Sequence, residues 1–228
     1  MILNKYFADI ARKAIAVLPR FLREPILARH YVRTIQKSGL NAEPDLLVLP
    51  SLLRSDWVCV DIGANIGLYT KHLSALSKEV LAIEAVPFTF QVLSQMVKSL
   101  GLQNVRLYNF AVSDHNGRGA MNVPNIWKAY LSDGDEVDVS TVDALLADCP
   151  RVDFIKCDVE GHEIKVVNGS LETISRFKPA WLIETDWDSV LFARMYDLGY
   201  ECYVGSGGRL ILRKGARRTN YFFLHREA

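Results

Sequence analysis

From Trp57 onward, short apolar runs alternate with segments whose apolar side chains recur every three or four residues. Short runs bounded by Gly, Asp or Asn read as strands, and the longer 3.6-period segments between them read as helices. The pattern predicts strands at about 57–61 (WVCVD), 79–84 (EVLAIE), 104–110 (NVRLYNF), 152–157 (VDFIKC) and 179–184 (PAWLIE). Helices are predicted at about 67–77, 88–100, 162–177 and 188–198. Such alternation builds α/β units on a parallel sheet. Residues 118–140 interrupt it: GRGAMNV and DEVDVST read as two strands joined by a longer loop, a β-hairpin insertion. Thr141 is placed to cap a short helix, VDALLA. Beyond Gly199 come three strand-like runs, and GSGG at 205–208 signals a hairpin, hence antiparallel pairing at one end of the sheet.

Before Trp57 the texture is helical. Leu3, Phe7, Ile10, Ala14 and Val17 share helical spacing up to Pro19, and a second helix over about 22–38 closes at Gly39. The stretch NAEPDLLVLPSLL reads as a joint with a short helix. Residues 1–50 are therefore set apart as an N-terminal helical segment, and residues 51–228 as one α/β domain.

Charge sharpens that division. Residues 1–40 hold eight Lys or Arg against Asp9 and Glu24, which leaves 19 basic and 24 acidic residues in the remainder. Two roles stay open for the basic helices: a lid beside a cleft, or a peripheral contact with an anionic membrane through residues 1–40. The net charge of +1 gives no global argument for a nucleic-acid partner. Half of the residues are apolar, enough for a sizeable core without staples. No segment reaches the ~18 consecutive apolar residues of a membrane span. Lys5, Asp9, Arg12 and Lys13 interrupt any apolar signal core at the N-terminus. Cys59, Cys149, Cys157 and Cys202 are scattered without zinc-ligand spacing, so a reduced, cytoplasmic setting is expected.

The chemistry concentrates at strand tips. In VCVDIGANIGLYT the first strand ends in Asp61, then Gly63, Asn65 and Gly67 lead into a helix. Glycines let the backbone turn sharply and approach a ligand closely. Ligands of open parallel sheets bind beyond the carboxyl ends of the strands. The dinucleotide pattern G-x-G-x-x-G is not met, because the third glycine is absent. A carboxylate just before the turn repels a pyrophosphate and attracts an ammonium or sulfonium, which favours S-adenosyl-L-methionine. Glu84 ends the second strand, 23 residues after Asp61, where an acid can accept hydrogen bonds from ribose hydroxyls. In DFIKCDVEGHE, Asp158, Glu160, His162 and Glu163 crowd the fourth strand tip, and Glu184, Asp186 and Asp188 close the fifth. Like charges held so close mark a functional site. Glu163 and Asp188 read as helix-capping acids, and Asp158 and Glu160 as functional ones. His162 and Glu160 are the candidate bases for a proton at neutral pH. Asp158 with Asp186 is an alternative route, holding Mg2+ to acidify a bound hydroxyl.

On VDIGANIGLYT, AIEAVPFTFQVL, NFAVSDHNG, STVDAL, VDFIKCDVEGHEIKVVNGS and PAWLIE, the chain resembles the FkbM-type S-adenosylmethionine-dependent methyltransferases, of the class I methyltransferase fold. The resemblance covers about 57–184 and departs at Cys157, where the family commonly has Ile. It implies a Rossmann-like seven-stranded, mostly parallel sheet with one antiparallel strand. It implies Asp61, Gly63, Ala64, Asn65 and Gly67 around the methionine part of the cofactor, and Glu84 on its ribose. Ala111 and Val112 would flank the adenine, and Asp158 would lie near the transferring methyl. Catalysis would fall to Asp158, Glu160 and His162, with a hydroxyl of a sugar, polyketide or lipid-linked metabolite as acceptor. Two alternatives remain from the residues alone: a nicotinamide-dependent oxidoreductase, and a non-catalytic module that keeps the cofactor site.

Overall fold

Apolar runs without alternation suit strands covered on both faces, and that is how they are used. The computed structural model describes residues 20–125, 128–131, 135–185, 189–213, 215 and 218–227. Helix α1 (Arg20–Lys37) leads through two 3-10 turns to the short helix α2 (Leu49–Leu52). Then come β1 (Val58–Ile62), α3 (Leu68–Leu76), β2 (Glu79–Ile83), α4 (Pro87–Leu100) and β3 (Val105–Tyr108). β4 (Ala111–Val112), β5 (Gly117–Asn125), β6 (Lys128–Leu131), β7 (Asp135–Ser140) and α5 (Val142–Leu145) follow. The chain continues through β8 (Phe154–Cys157), α6 (Glu163–Asn168), α7 (Leu171–Phe177), β9 (Ala180–Glu184) and α8 (Ser189–Asp197). It closes with β10 (Tyr200–Ser206), β11 (Arg209–Leu212) and β12 (Asn220–His225).

The main sheet has the order β11-β10-β12-β9-β8-β1-β2-β3. β12 runs antiparallel to both β9 and β10, and β11 antiparallel to β10, while the pairs from β9 to β3 are parallel. The expected seven strands with one reversed become eight with two reversed. The extra strand comes from the hairpin at 205–208, where Gly207 (φ 54°) and Gly208 (φ 77°) both take the left-handed conformation that a tight two-residue turn demands. The insertion also differs: it is a four-stranded sheet, β4-β7-β5-β6, in which β4, just beyond the predicted third strand, pairs with β7. The predicted helix over 162–177 breaks in two at 169–170, and Asp143 accepts from Glu172 N (3.0 Å) and Thr173 N (2.8 Å) at the start of the second piece. Thr141 caps α5 as expected, its Oγ1 accepting from Ala144 N at 3.0 Å.

The chain builds β1, β2 and β3 outward to one side, then returns to lay β8 on the other side of β1. That reversal opens a crevice beyond the carboxyl ends of β1 and β8. Around it, Val60, Ile62, Ile83, Ile155, Cys157 and Ile183 are fully or almost fully buried in the main core. Ala28, Val32 and Ile35 of α1 join Ala64, Ile66 and the α4 residues Val92, Leu93 and Met96 in a separate cluster. Lys71 fastens the end of α1 by donating to the carbonyls of Ile35 (2.9 Å), Gln36 (3.2 Å) and Ser38 (2.5 Å). The apolar face of α1 is thus taken up inside the molecule, while Arg29, Arg33 and Lys37 face outward, exposed. The helix predicted at 3–18 lies outside the described residues. Among the described residues, no helix is long and apolar enough to cross a membrane. All four cysteines are free.

Candidate active site

The loop after β1 owes its glycines to the protein itself. Gly63 (φ 72°), Asn65 (φ 51°) and Gly67 (φ 95°) all sit in the left-handed region. A Cβ on Gly63 would lie 1.8 Å from the carbonyl oxygen of Asp158, and one on Gly67 would lie 2.1 Å from Met96 Cε. The first glycine therefore lets the loop touch the tip of β8, and the second lets α3 start against α4. Asn65 holds its own turn, with Oδ1 accepting from Ile66 N at 2.8 Å. Gly63 N and Ala64 N both donate to Ile83 O, at 3.0 and 2.9 Å, which docks the loop onto the end of β2.

The two strand-end acids are both buried. Asp61 was expected to face a ligand as a bare anion, but its side chain is fully buried. Thr70 Oγ1 donates to Asp61 Oδ2 at 2.6 Å, and Lys156 Nζ stands 3.8 Å from Oδ1, which has no hydrogen-bond partner. Burial pushes the Asp61 carboxyl above its ordinary value, opposed by Lys156 and Thr70. The reason for the difference is register: Asp61 and Lys156 are cross-strand partners on β1 and β8, so an ammonium matches the carboxylate inside the fold. With that match, the sign of Asp61 no longer argues against a pyrophosphate. Glu84 is also buried, but its oxygens accept from backbone, Asn65 N at 2.9 Å and Val86 N at 2.8 Å. Burial pushes its carboxyl up to about 7, with the Val86 and Asn65 N–H groups opposing. Asn109 braces the same turn by donating to Glu84 O (2.7 Å) and Ala85 O (3.1 Å). Ala111 is buried beside Val86 and Ala85, and Val112 is buried in the main core.

At the tip of β8, Asp158 keeps 26% side-chain exposure and accepts from Lys156 Nζ at 3.2 Å. Lys156 also donates to Gly63 O at 3.1 Å, and its ammonium lies 5.1 Å from the centre of the Tyr69 ring. Burial works against the charged lysine, but Asp158 and Asp61 outweigh it and raise its pKa. Glu160 is exposed at φ 53°. Glu163 closes the loop by accepting from Gly161 N (3.0 Å) and Val159 N (3.3 Å), a structural role on the loop and not the helix cap expected of it. His162 Nε2 lies 2.9 Å from Ser113 Oγ, which is also 3.1 Å from Asp114 Oδ1. Burial and then Lys165 hold the imidazole below its ordinary pKa, so it is neutral at neutral pH. Glu184 ends β9 with its carboxyl pushed up to about 7, first by burial and then by Asp158.

Lys156, Tyr69, Thr70, Asn109 and Glu43 went unnamed in the sequence. Tyr69 donates to Glu43 Oε2 at 3.1 Å, so the segment before β1 reaches this end of the sheet. Only Lys156 left a signal: a cation inside the apolar run FIKC, two residues before an acid. Among the described residues, no group of three or more His, Cys, Asp or Glu could hold a metal ion. Asp186 and Asp188 lie outside the described residues.

The sequence profile of the methyltransferase FkbM domain matches residues 61–202. No curated protein matches the chain. Among solved structures, methyltransferase FkbM from Methylobacillus flagellatus KT is 20% identical with a TM-score of 0.53, covering 95% of this chain and 60% of its own. The chain thus spans 60% of the length of that protein. A Streptococcus pneumoniae protein proposed to be a tRNA methyltransferase is 14% identical with a TM-score of 0.50, covering 80% of this chain and 68% of its own. At these identities the likeness is one of fold.

Proposed function

The chain belongs to the FkbM methyltransferase family, and from that premise we propose that it transfers a methyl group from S-adenosyl-L-methionine to a hydroxyl oxygen. The acceptor is a sugar, a polyketide or a lipid-linked metabolite. The observation that carries the reading is the clasp between Glu84 and the amide of Asn65. It joins the acid of β2 and the loop of β1 into one unit on the β2 side of β1, beside the crevice between β1 and β8. Each Glu84 oxygen accepts one backbone N–H and keeps lone pairs for further donors, which fits a ribose diol. The partly exposed carboxylate of Asp158 fits a cationic ligand nearby.

When bound, S-adenosyl-L-methionine supplies a methyl carbon activated by its sulfonium. The loop Gly63, Ala64, Asn65 and Gly67 holds the methionine part, Glu84 the ribose, and Ala111 with Val112 the adenine side. Asp158 orients the reacting end. Alignment of the reacting groups supplies roughly 7–11 kcal/mol in such transfers. His162 or, alternatively, Glu160 receives the proton of the acceptor hydroxyl, a step contributing about 10²–10⁴-fold. The neutral imidazole of His162 is in the correct state for this.

Calorimetry with S-adenosyl-L-methionine, S-adenosylhomocysteine and NAD tests the reading. Binding of the first two and not NAD is expected, and NAD binding alone would make the site that of an oxidoreductase. A screen of hydroxylated acceptors with radiolabelled methyl donor tests the chemistry. Cofactor binding with no transfer to any acceptor would favour a non-catalytic module.

A further inference from the structure

We propose that Lys156 is the positioning residue of this site: its one buried ammonium ties the carboxylate of Asp158 to the carbonyl of Gly63, fixing the acid of β8 against the loop of β1. A buried ammonium is costly unless paired and hydrogen-bonded. Lys156 has 5% side-chain exposure, so its pairing defines its role. Charge compensation of Asp61 alone would put Nζ within hydrogen-bond reach of Asp61. Instead Nζ is 3.8 Å from Asp61 Oδ1, which stays without a hydrogen bond, and 3.1 and 3.2 Å from Gly63 O and Asp158 Oδ2.

The backbone supports the same junction from the other side. Asp158 N donates to Ile62 O at 3.1 Å, and Gly63 approaches the Asp158 carbonyl too closely to carry a side chain. Loop and strand tip are thus in direct main-chain contact, and the Asp158 side chain is the part left to be aimed. The Tyr69 ring covers the ammonium, and Thr70 occupies the other Asp61 oxygen. Of the three charges only Asp158 keeps appreciable exposure, so the geometry Lys156 imposes is read out there.

The inference rests on the methyl-transfer reading for what Asp158 does, and its test separates the two. The variants are Lys156→Arg, Lys156→Met and Lys156→Met combined with Asp61→Asn, which restores the charge sum. Thermal melting, S-adenosylhomocysteine affinity and hydrogen exchange of residues 158–163 are measured on each. Lys156→Met is expected to lose roughly tenfold or more in affinity, the loss of charged hydrogen bonds. The double variant should regain melting temperature but neither the affinity nor the exchange protection of 158–163, while Lys156→Arg retains both. Recovery of affinity and protection in the double variant would make Lys156 a mere counter-charge and overturn the proposal. If the wild-type protein binds neither nucleoside, the cofactor reading fails. The exchange data then decide on Lys156 alone, with unchanged protection in the double variant counting against it.

Discussion

Asp61 and Glu84 end neighbouring strands and are both buried, yet the fold treats them in opposite ways. Asp61 is closed off from the cleft, with a hydroxyl on one oxygen and an ammonium near the other. Glu84 receives only main-chain N–H groups, and its carboxyl is pushed up to about 7. Position at a strand tip therefore does not define the job of an acid. A carboxylate matched by an internal cation is part of the scaffold. One held by backbone hydrogen-bond donors, its carboxyl pushed up to about 7 by burial, can accept further donors from a ligand.

The contrast breaks first at Gly63, where loop and β8 tip meet. Gly63→Ala places a Cβ 1.8 Å from the Asp158 carbonyl oxygen at φ 72°. Denaturant unfolding should show a loss of about 4 kcal/mol or more, or no folded protein. A loss below about 1 kcal/mol would mean that the junction does not exist as described.

Glu84→Gln sharpens the contrast. Removing the charged acceptor should weaken S-adenosylhomocysteine binding roughly 10–100-fold by calorimetry. The same substitution should flatten the pH dependence of the unliganded protein. Glu84 titrates near 4.5 unfolded and about 7 folded, so its contribution is fully present below 4.5 and is lost as pH rises through 7. Melting temperature should therefore fall between pH 5 and 8, less steeply in the variant. Glu184, raised to about 7 as well, leaves a residual slope of the same sign. Ribose hydroxyls favour the ionised carboxylate, so binding near pH 6.5 should release a proton in wild type and not in the variant.

Thr70→Val gives the smallest effect. It leaves Asp61 Oδ2 without its donor and should lower stability by about 1–3 kcal/mol. Affinity should change less than in Glu84→Gln. A larger loss of affinity than of stability would place Asp61 on the ligand and erase the distinction between the two acids.

The parallel strands β1, β2, β3, β8 and β9 were legible because their runs are mostly apolar, as in VCV and AWLI, whereas β4 and β6 fell outside the predicted strands. The loop was legible because Gly63, Asn65 and Gly67 need positive φ, although the sequence assigned the close contact to a ligand and not to Asp158 and Met96. Lys156 left a signal, a cation inside an apolar run, but a cation in a strand ordinarily marks a solvent face. Only the register with Asp61 shows that it points inward. Glu43 on Tyr69 and Ser113 on His162 join residues 26 and 49 positions apart, and periodicity carries no signal for such pairs. The split of 162–177 likewise comes with a distant acceptor, Asp143, on the first amides of the second helix.

β12 lies between β9 and β10, although it follows both in the chain. On the ribosome, β9 and β10 therefore emerge before the strand that joins them. Until residue 225 has cleared the exit tunnel, two unpaired edges rich in aromatic and aliphatic side chains stay open to other chains. Slowing translation over residues 220–225 should lengthen that exposure and raise the demand for chaperones, with the parallel half of the sheet already made.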